Sequence, residues 1–382
     1  MAEKALRVCY FGTYRDNYSR NQIMIEGLRQ NGVEVIECHE SLWRGIEDRV
    51  QVASRGWLRP AFALRLVRAY WNLLRAHRKV TDYDVMVLGY PGQLDTYLAR
   101  VLTRLRRRPL VLDQFMSLYL IALERGLVSR HPFSGRLIHL VERGAYSLPD
   151  LVIQDTAEYV EWSRDTYGLV PDRVRLVPTG ADDRVFHPVA PSGRQDGVFR
   201  VLYYGTFIPN HGVRTIIEAA NLLRDQADIQ FEMIGEGPEK AEALALAQEA
   251  ELEQVHFVGW VDKGDLPRRV ADADLCLGAF GTTPQSIMTV QNKIYEGLAL
   301  QKCVLTGDAS TVRNTLTHGE QVWLCERANP ESLAEAILTL KRDPALRARL
   351  AESGYQVYRE MFTIAALGKR FRAHLIELVA DS

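Results

Sequence analysis

Short apolar runs ending in a glycine or a polar residue recur along this chain, each followed by a loop and a helical pattern. Residues 6–12 form such a run and lead through a loop into a helix over about 19–30, after which the apolar strand 33–36 begins. This order of strand, loop, helix and strand is a βαβ unit, and it requires a parallel sheet covered by helices. It returns at 83–89, 93–106 and 109–113, and strands at 151–154 and 174–177 complete a first set. Periodicity lapses over 181–197, where Pro188, Pro191, Ser192, Gly193 and Gly197 sit among polar residues and read as a linker. The alternation then restarts, with strands at 199–205, 229–234, 255–259, 274–280, 303–307 and 322–325. Val213, Ile216, Ile217, Ala220 and Leu223 fall on one face of the intervening helix. The expected fold is therefore α/β, with two Rossmann-like parallel-sheet domains, and 382 residues suffice for both.

The stretch 290–300 concentrates the chemistry. It reads as a helix start with Asn292 as N-cap and Ile294, Leu298 and Ala299 on one apolar face. The loop Gly281-Thr282-Thr283-Pro284 precedes it. A helix N-terminus after a strand exposes unpaired N–H groups and partial positive charge, which suits a phosphate. Lys293 in the first turn opposes its own helix dipole, a conflict that a diphosphate would remove. Glu296, one turn on, can accept hydrogen bonds from ribose hydroxyls. Read without that ligand, the same stretch is a surface helix with a solvated Lys and Glu.

The loop from Gly205 through Thr206, Phe207 and His211 to Gly212 also joins a strand end to a helix start, so it forms a second phosphate-compatible site. His211 can donate to a phosphate oxygen or serve as a capping residue. Gly235-Glu236-Gly237 lacks the third glycine of a dinucleotide fingerprint. Asp113 ends a buried-type strand, where a carboxylate is costly unless exposed or paired. It can anchor a sugar or assist catalysis, or cap the next helix. Ligands in such sheets bind at the carboxyl ends of strands, which singles out Gly12, Arg15, Arg20 and Asn21 in the first domain.

A net charge of -1 argues against a general nucleic-acid binder. From Arg55 to Lys79, however, there are seven basic residues and no acidic one, interleaved with Trp57, Leu58, Phe62, Leu64, Val67, Tyr70 and Trp71. Arginines with aromatics on a helix suit an anionic membrane surface, although the helix has a simpler use in covering the sheet. The five cysteines are scattered without a C-x-x-C pair, which reads as free thiols in a reducing, cytoplasmic setting. No zinc-ligand spacing, Walker motif or nucleophile elbow is present, and no metal site is expected.

Several of these segments together resemble the retaining glycosyltransferases of family 4, the group 1 glycosyl transferases with the GT-B fold. The resemblance rests on Tyr204-Gly205-Thr206-Phe207, His211-Gly212, Ile234-Gly235-Glu236-Gly237-Pro238, Val255-His256-Phe257-Val258-Gly259 and Asn292-Lys293-Ile294-Tyr295-Glu296. Pro178-Thr179-Gly180-Ala181-Asp182, with Phe186-His187-Pro188, resembles the family's segment before its linker. The resemblance implies GT-B architecture, with two Rossmann-like domains facing an interdomain crevice. It divides the chain into an acceptor-side domain, 1–188 joined by a C-terminal helix at about 363–382, and a donor domain, 189–362. It implies donor contacts from Gly205, Thr206, Phe207, Glu236, Trp260, Val261, Gln291, Asn292, Lys293 and Glu296, with Asp113 and His211 as catalytic candidates. The implied reaction moves a sugar from a UDP- or GDP-linked donor, a co-substrate rather than a cofactor, to a glycan, lipid-linked or small-molecule hydroxyl. A nucleotide-sugar epimerase and a catalytically degenerate sugar-nucleotide binding protein are the alternatives. The family pairs two glutamates eight positions apart; Glu296 matches the second, and Met288 stands at the first.

Overall fold

The computed structural model describes residues 5–42, 60–193 and 196–381. The chain divides into two compact units, Met1–Pro178 with Ile364–Ser382, and Thr179–Thr363. Trp57 and Leu58 of the basic–aromatic stretch lie outside the described residues.

The first unit contains β1 (Arg7–Gly12), α1 (Ser19–Gln30), β2 (Glu34–His39), α2 (Pro60–Lys79), β3 (Val85–Leu88), α3 (Asp95–Arg106) and β4 (Leu110–Asp113). It continues with α4 (Leu118–Glu124), α5 (Leu127–Arg130), α6 (Pro132–Ser147), β5 (Leu151–Gln154), α7 (Ala157–Tyr167) and β6 (Val174–Leu176). The six strands form one parallel sheet in the order β2-β1-β3-β4-β5-β6. Successive residues of a strand face opposite sides, so each strand feeds two cores. Val8, Tyr10, Val85, Val87 and Val111 pack on the α1 side; Cys9, Phe11, Met86, Leu88 and Leu112 pack on α2 and α3. Every residue of β3 and β4 is buried, as a sheet covered on both faces requires. Truncating Leu112 to alanine would cost about 2–5 kcal/mol.

The second unit contains β7 (Phe199–Tyr204), α8 (Val213–Leu222), β8 (Ile229–Ile234), α9 (Lys240–Glu249), β9 (Val255–Val258), α10 (Leu266–Ala271) and β10 (Leu275–Leu277). It continues with α11 (Pro284–Met288), α12 (Asn292–Ala299), β11 (Val304–Gly307), α13 (Ser310–Arg313), β12 (Trp323–Cys325), α14 (Pro330–Arg342) and α15 (Pro344–Met361). Its parallel sheet has the order β12-β11-β10-β7-β8-β9. Asn329 and Asp343 cap α14 and α15 by accepting from Ser332 N–H and Leu346 N–H. The last helix, α16 (Ile364–Ala380), belongs to the first unit and packs on α1 through Leu367 and Phe371. Gly27 and Gly368 face each other at that crossing, where a Cβ on either would meet the other's backbone.

Three local expectations change. Gln291, not Asn292, is the N-cap of α12, and no side chain caps that end. The segment read as a linker begins inside the second unit's core, where Ala181 and Phe186 pack with Tyr295. A short helix, α11, follows the glycine loop, with Thr283 capping it by accepting from Ser286 N–H.

Candidate functional site

In the second sheet, chain order reverses between β7 and β10, and an open α/β sheet binds ligands at the carboxyl ends of strands beside such a switch point. The Gly205 loop leaves β7 there, and the segment leading to α11 and α12 leaves β10. Phe280 N–H donates to the His211 carbonyl at 3.0 Å and ties the two loops together.

Glycine makes this close packing possible. Gly235 has φ 138°, and a Cβ there would lie 1.9 Å from the Gly205 carbonyl oxygen. Phe207 N–H donates to the Glu236 carbonyl at 2.9 Å across the same junction. The Gly235-Glu236-Gly237 run thus brings two strand-end loops together. Gly205 itself has φ 141°, and a Cβ there would sit 3.0 Å from Lys293 Nζ. The bare glycine leaves the space beside that ammonium open.

Lys293 is 5% exposed. Its Nζ lies 4.0 Å from the Tyr203 ring centroid and has no hydrogen-bond partner among the described residues. Burial pushes its pKa down to about 7, and Glu296 opposes the shift. An ammonium desolvated without an anion is an unmet electrostatic demand. Glu296, three residues along α12, is pushed up to about 7 by burial against the pull of Tyr204, Lys263 and Lys293. Lys263 is anchored nearby on Asp182, at 3.3 Å.

The His211 Nδ1 lies 2.6 Å from the Thr206 carbonyl. A carbonyl only accepts, so Nδ1 carries the proton. Burial and the neighbouring Lys293 lower this imidazole well below its ordinary pKa. The neutral ring, protonated on Nδ1, presents Nε2 as an acceptor in the ligand-free protein. An anion beside it would first have to draw in a proton.

The remaining donor-side candidates lie at neighbouring strand ends. Glu236 pairs with Lys240 at 2.6 Å, and its carboxylate would lie 3.5 Å from a Cβ on Gly259. Trp260 follows with its ring mostly exposed, and Val261 packs on the α12 core. The Gln291 amide donates to the Ser286 carbonyl at 3.0 Å, and its Oε1 is buried without a partner among the described residues. Met288 is buried.

In the first unit, the catalytic candidate Asp113 and the acceptor-side candidates Arg20 and Asn21 are buried and spend their polar groups within the protein. Asp113 and Arg20 are both fully buried and form an ion pair at 2.7 Å. Arg20 also donates to the Val177 carbonyl at 3.1 Å. Asn21 donates to the Arg15 and Tyr90 carbonyls, each at 2.7 Å, and accepts from Tyr90 N–H. These groups pin loops: a carboxylate ending a buried strand has met its charge requirement inside the protein. Gly12 is buried too, because a Cβ there would lie 2.5 Å from the Asp95 Oδ2 that accepts from Thr13 N–H. Arg15 keeps partial exposure.

Two polar residues escaped the sequence reading. Asp155, directly after β5, is buried with Oδ2 unpartnered among the described residues, and burial pushes its pKa up to about 7 against the pull of Arg20. Its signal was a carboxylate at a strand end, the pattern that selected Asp113. Arg327 has no local signature. It reaches back from beyond β12 to the Gly281 carbonyl at 2.8 Å and Ser286 Oγ at 3.0 Å, with Nη2 buried and unpartnered among the described residues. It braces α11 beside an open cavity of about 620 Å³ that Asp308, Arg313 and His318 also line.

Among the described residues, no group of three or more His, Cys, Asp or Glu side chains is placed to hold a metal. None of the described helices is long and apolar enough to cross a membrane.

Residues 189–357 match the family model described as Glycosyl transferases group 1. The matched residues lie within the second unit. Among curated relatives, the lipopolysaccharide core biosynthesis glycosyltransferase LpsD of Rhizobium meliloti is 26% identical over 186 residues, covering 47% of this chain and 51% of the relative. The chain spans about half the length of the curated relatives it matches. Among solved structures, sucrose-phosphate synthase of Thermosynechococcus elongatus superposes with a TM-score of 0.73 at 18% identity, covering 100% of both chains. HepE of Anabaena in complex with UDP gives 0.69 at 17% identity, covering 98% of this chain and 100% of the other. The architecture is GT-B.

Proposed function

We propose that the chain is a retaining glycosyltransferase that binds a nucleotide diphosphate sugar in its second unit and transfers the sugar to a hydroxyl. One observation carries this reading: the buried, unpartnered ammonium of Lys293, opposite a bare Gly205 and at the uncapped start of α12. A diphosphate is the ligand whose charge and size meet that demand, and Glu296 lies where a ribose attached to it would reach. Trp260 and Glu236 flank the strand ends where the base would then lie. The HepE complex supports a UDP-linked donor, and GDP is the second base to test.

In the transfer, the bond from the sugar's anomeric carbon to the diphosphate breaks and the electron pair leaves with the phosphate. Lys293 and the N–H groups of α12 stabilise that charge as fixed electrostatics. The acceptor oxygen attacks from the side the leaving group vacates, so configuration is retained. Its proton passes to the departing phosphate oxygen, since His211 is occupied at Nδ1 and Asp113 is sequestered. A metal is unnecessary where the cationic groups neutralise the diphosphate.

The relative that builds lipopolysaccharide core favours a glycan or lipid-linked acceptor, handled in the cytoplasm and in contact with an anionic membrane face. No observation favours the epimerase alternative, which needs acid–base groups poised at a sugar ring.

Calorimetry with UDP, GDP and ADP, followed by turnover with the matching donor sugars, tests the proposal. One nucleotide is expected to bind and its sugar to be transferred, and Glu296→Gln should weaken that nucleotide about tenfold through a lost ribose contact. Binding of none of the three, or binding unchanged in both Glu296→Gln and Lys293→Met, would overturn the donor site. Binding without hydrolysis or transfer would identify the degenerate binding protein instead.

A further inference from the structure

Three helices of the first unit cover one face of its sheet side by side. Leu88, Leu112 and Val152 are paired across β3, β4 and β5 and point to the same side. α2 and α3 pack on the first two through Leu73 and Ala99, and α6 packs on the third through Tyr146. Arg106 of α3 donates to the Val80 and His77 carbonyls at the end of α2. Tyr97 of α3 donates to the Val141 carbonyl of α6 at 2.7 Å. The layer is therefore contiguous.

Each helix has a buried apolar stripe and a second apolar stripe that faces away from the sheet. On α2, Phe62, Ala69 and Leu73 are buried, whereas Leu64, Val67 and Trp71 are exposed. On α3 the outer residues are Val101 and Leu105, and on α6 they are Phe133 and Leu140; Leu105 and Phe133 are 78% and 79% exposed. A helix that only covers a sheet is polar on its outer side. Here the outer side is apolar and basic, with Arg68, Arg75, Arg104, Arg136 and Arg143 exposed among the apolar groups. The acidic residues of the three helices are Asp95 and Glu142, and both are fully buried. The outer surface of the layer thus has positive charge with no carboxylate of its own helices to balance it.

We propose that the outer face of α2, α3 and α6 docks on an anionic lipid surface, with its apolar residues entering the interface and its arginines meeting the headgroups. Charge and apolarity together select this occupant. A nucleic-acid backbone would engage the arginines and leave Leu64, Leu105 and Phe133 in water. A second copy meeting this face about a two-fold axis would bring like charges together. The inference deepens the lipid-linked-acceptor reading and rests on it for its purpose, but its test requires no turnover.

The full chain is floated with phosphatidylcholine vesicles, with and without phosphatidylglycerol. Binding is expected only to the anionic vesicles and should weaken as salt rises. Reversing three charges, with Arg68→Glu, Arg104→Glu and Arg136→Glu together, should lower partitioning roughly a hundredfold. Trp71→Ser with Phe133→Ser should also lower it. The UDP-induced thermal shift of each variant is measured in parallel. If that shift persists, both the fold and the donor site are intact, so lost flotation reports on the face alone. Absence of flotation by the parent chain, or flotation unchanged in both sets of variants, would overturn the proposal. So would a dimer that these variants disrupt without any vesicle binding, which would assign the face to a second copy.

Discussion

The ammonium of Lys293 stands 4.0 Å from the centre of the Tyr203 ring and meets no hydrogen-bond acceptor among the described residues. A ring face attracts a cation, but far less than an anion does in a desolvated site. The free protein therefore bears a cost that a bound diphosphate would relieve.

Replacing Lys293 with methionine should stabilise the free protein and abolish its response to nucleotide. The folded pKa of about 7 lies below the unfolded value, so the charged lysine destabilises the fold below pH 7. That cost disappears as pH rises toward the unfolded pKa. Scanning calorimetry at pH 7 should show Lys293→Met melting at least a few degrees above the parent, for a relief on the order of 1–3 kcal/mol. A melting temperature at or below the parent's would contradict the assignment.

Nucleoside diphosphate affinity should fall as pH rises above about 7. The bound diphosphate raises the pKa of Lys293, so above the free value binding must take up a proton, and each further unit costs up to tenfold. Between about pH 7.5 and 8.5 the phosphates are almost fully ionised and the base keeps its proton, so the ligand adds little titration of its own. Calorimetry in buffers of different ionisation heat should detect the proton uptake. Lys293→Met should bind weakly and without a pH slope.

Gly205→Ala should retain the fold and lose nucleotide. The new methyl would sit 3.0 Å from Lys293 Nζ, in a backbone conformation that alanine rarely adopts. Circular dichroism near that of the parent, with at least tenfold weaker binding, is the expected result. Gly235→Ala should fare worse, because its methyl meets the Gly205 carbonyl at 1.9 Å, which demands backbone movement. Expression and melting temperature should drop.

Asp113→Asn should act on stability before it acts on catalysis. Removing one partner of the fully buried Arg20–Asp113 pair leaves a guanidinium without its anion, at a cost of about 3–5 kcal/mol. Arg20→Met with Asp113→Leu should cost less than the sum of the two single changes. Urea unfolding of the four proteins measures this coupling, and additive losses would remove the structural role.

Much of the fold was legible because its signals are local. Apolar runs ending in Gly12, Gly205 or Gly235 marked strand ends, and helical periodicity after each marked the crossovers. Lys293 was legible for a different reason, as a cation in the first turn of a helix is anomalous wherever that helix packs. The failures share a cause as well. Asp113 and Asp155 look alike in sequence, but among the described residues Arg20 hydrogen-bonds Asp113 and acts on Asp155 only through space, and that arginine lies 93 residues from Asp113 along the chain. The protonation of His211 depends on one carbonyl and one buried lysine, neither of which its own loop predicts. The basic–aromatic stretch before Lys79 suited either a membrane face or a helix covering the sheet, yet no single helix could show that α3 and α6 also carry exposed apolar and basic residues.

By itself the sequence determined two parallel α/β units, the glycine-bracketed loops at their strand ends, and the presence of Lys293 and Glu296 on one helix. These follow from periodicities of two and 3.6 residues and from backbone conformations that glycine alone tolerates without strain. Tertiary structure decided which charges are met within the protein and which are left for a ligand. Arg20 found Asp113 and was neutralised, whereas Lys293 faces an aromatic ring and meets no hydrogen-bond acceptor among the described residues. Charge pairing depends on distance in space, and chain topology sets that distance independently of any local pattern.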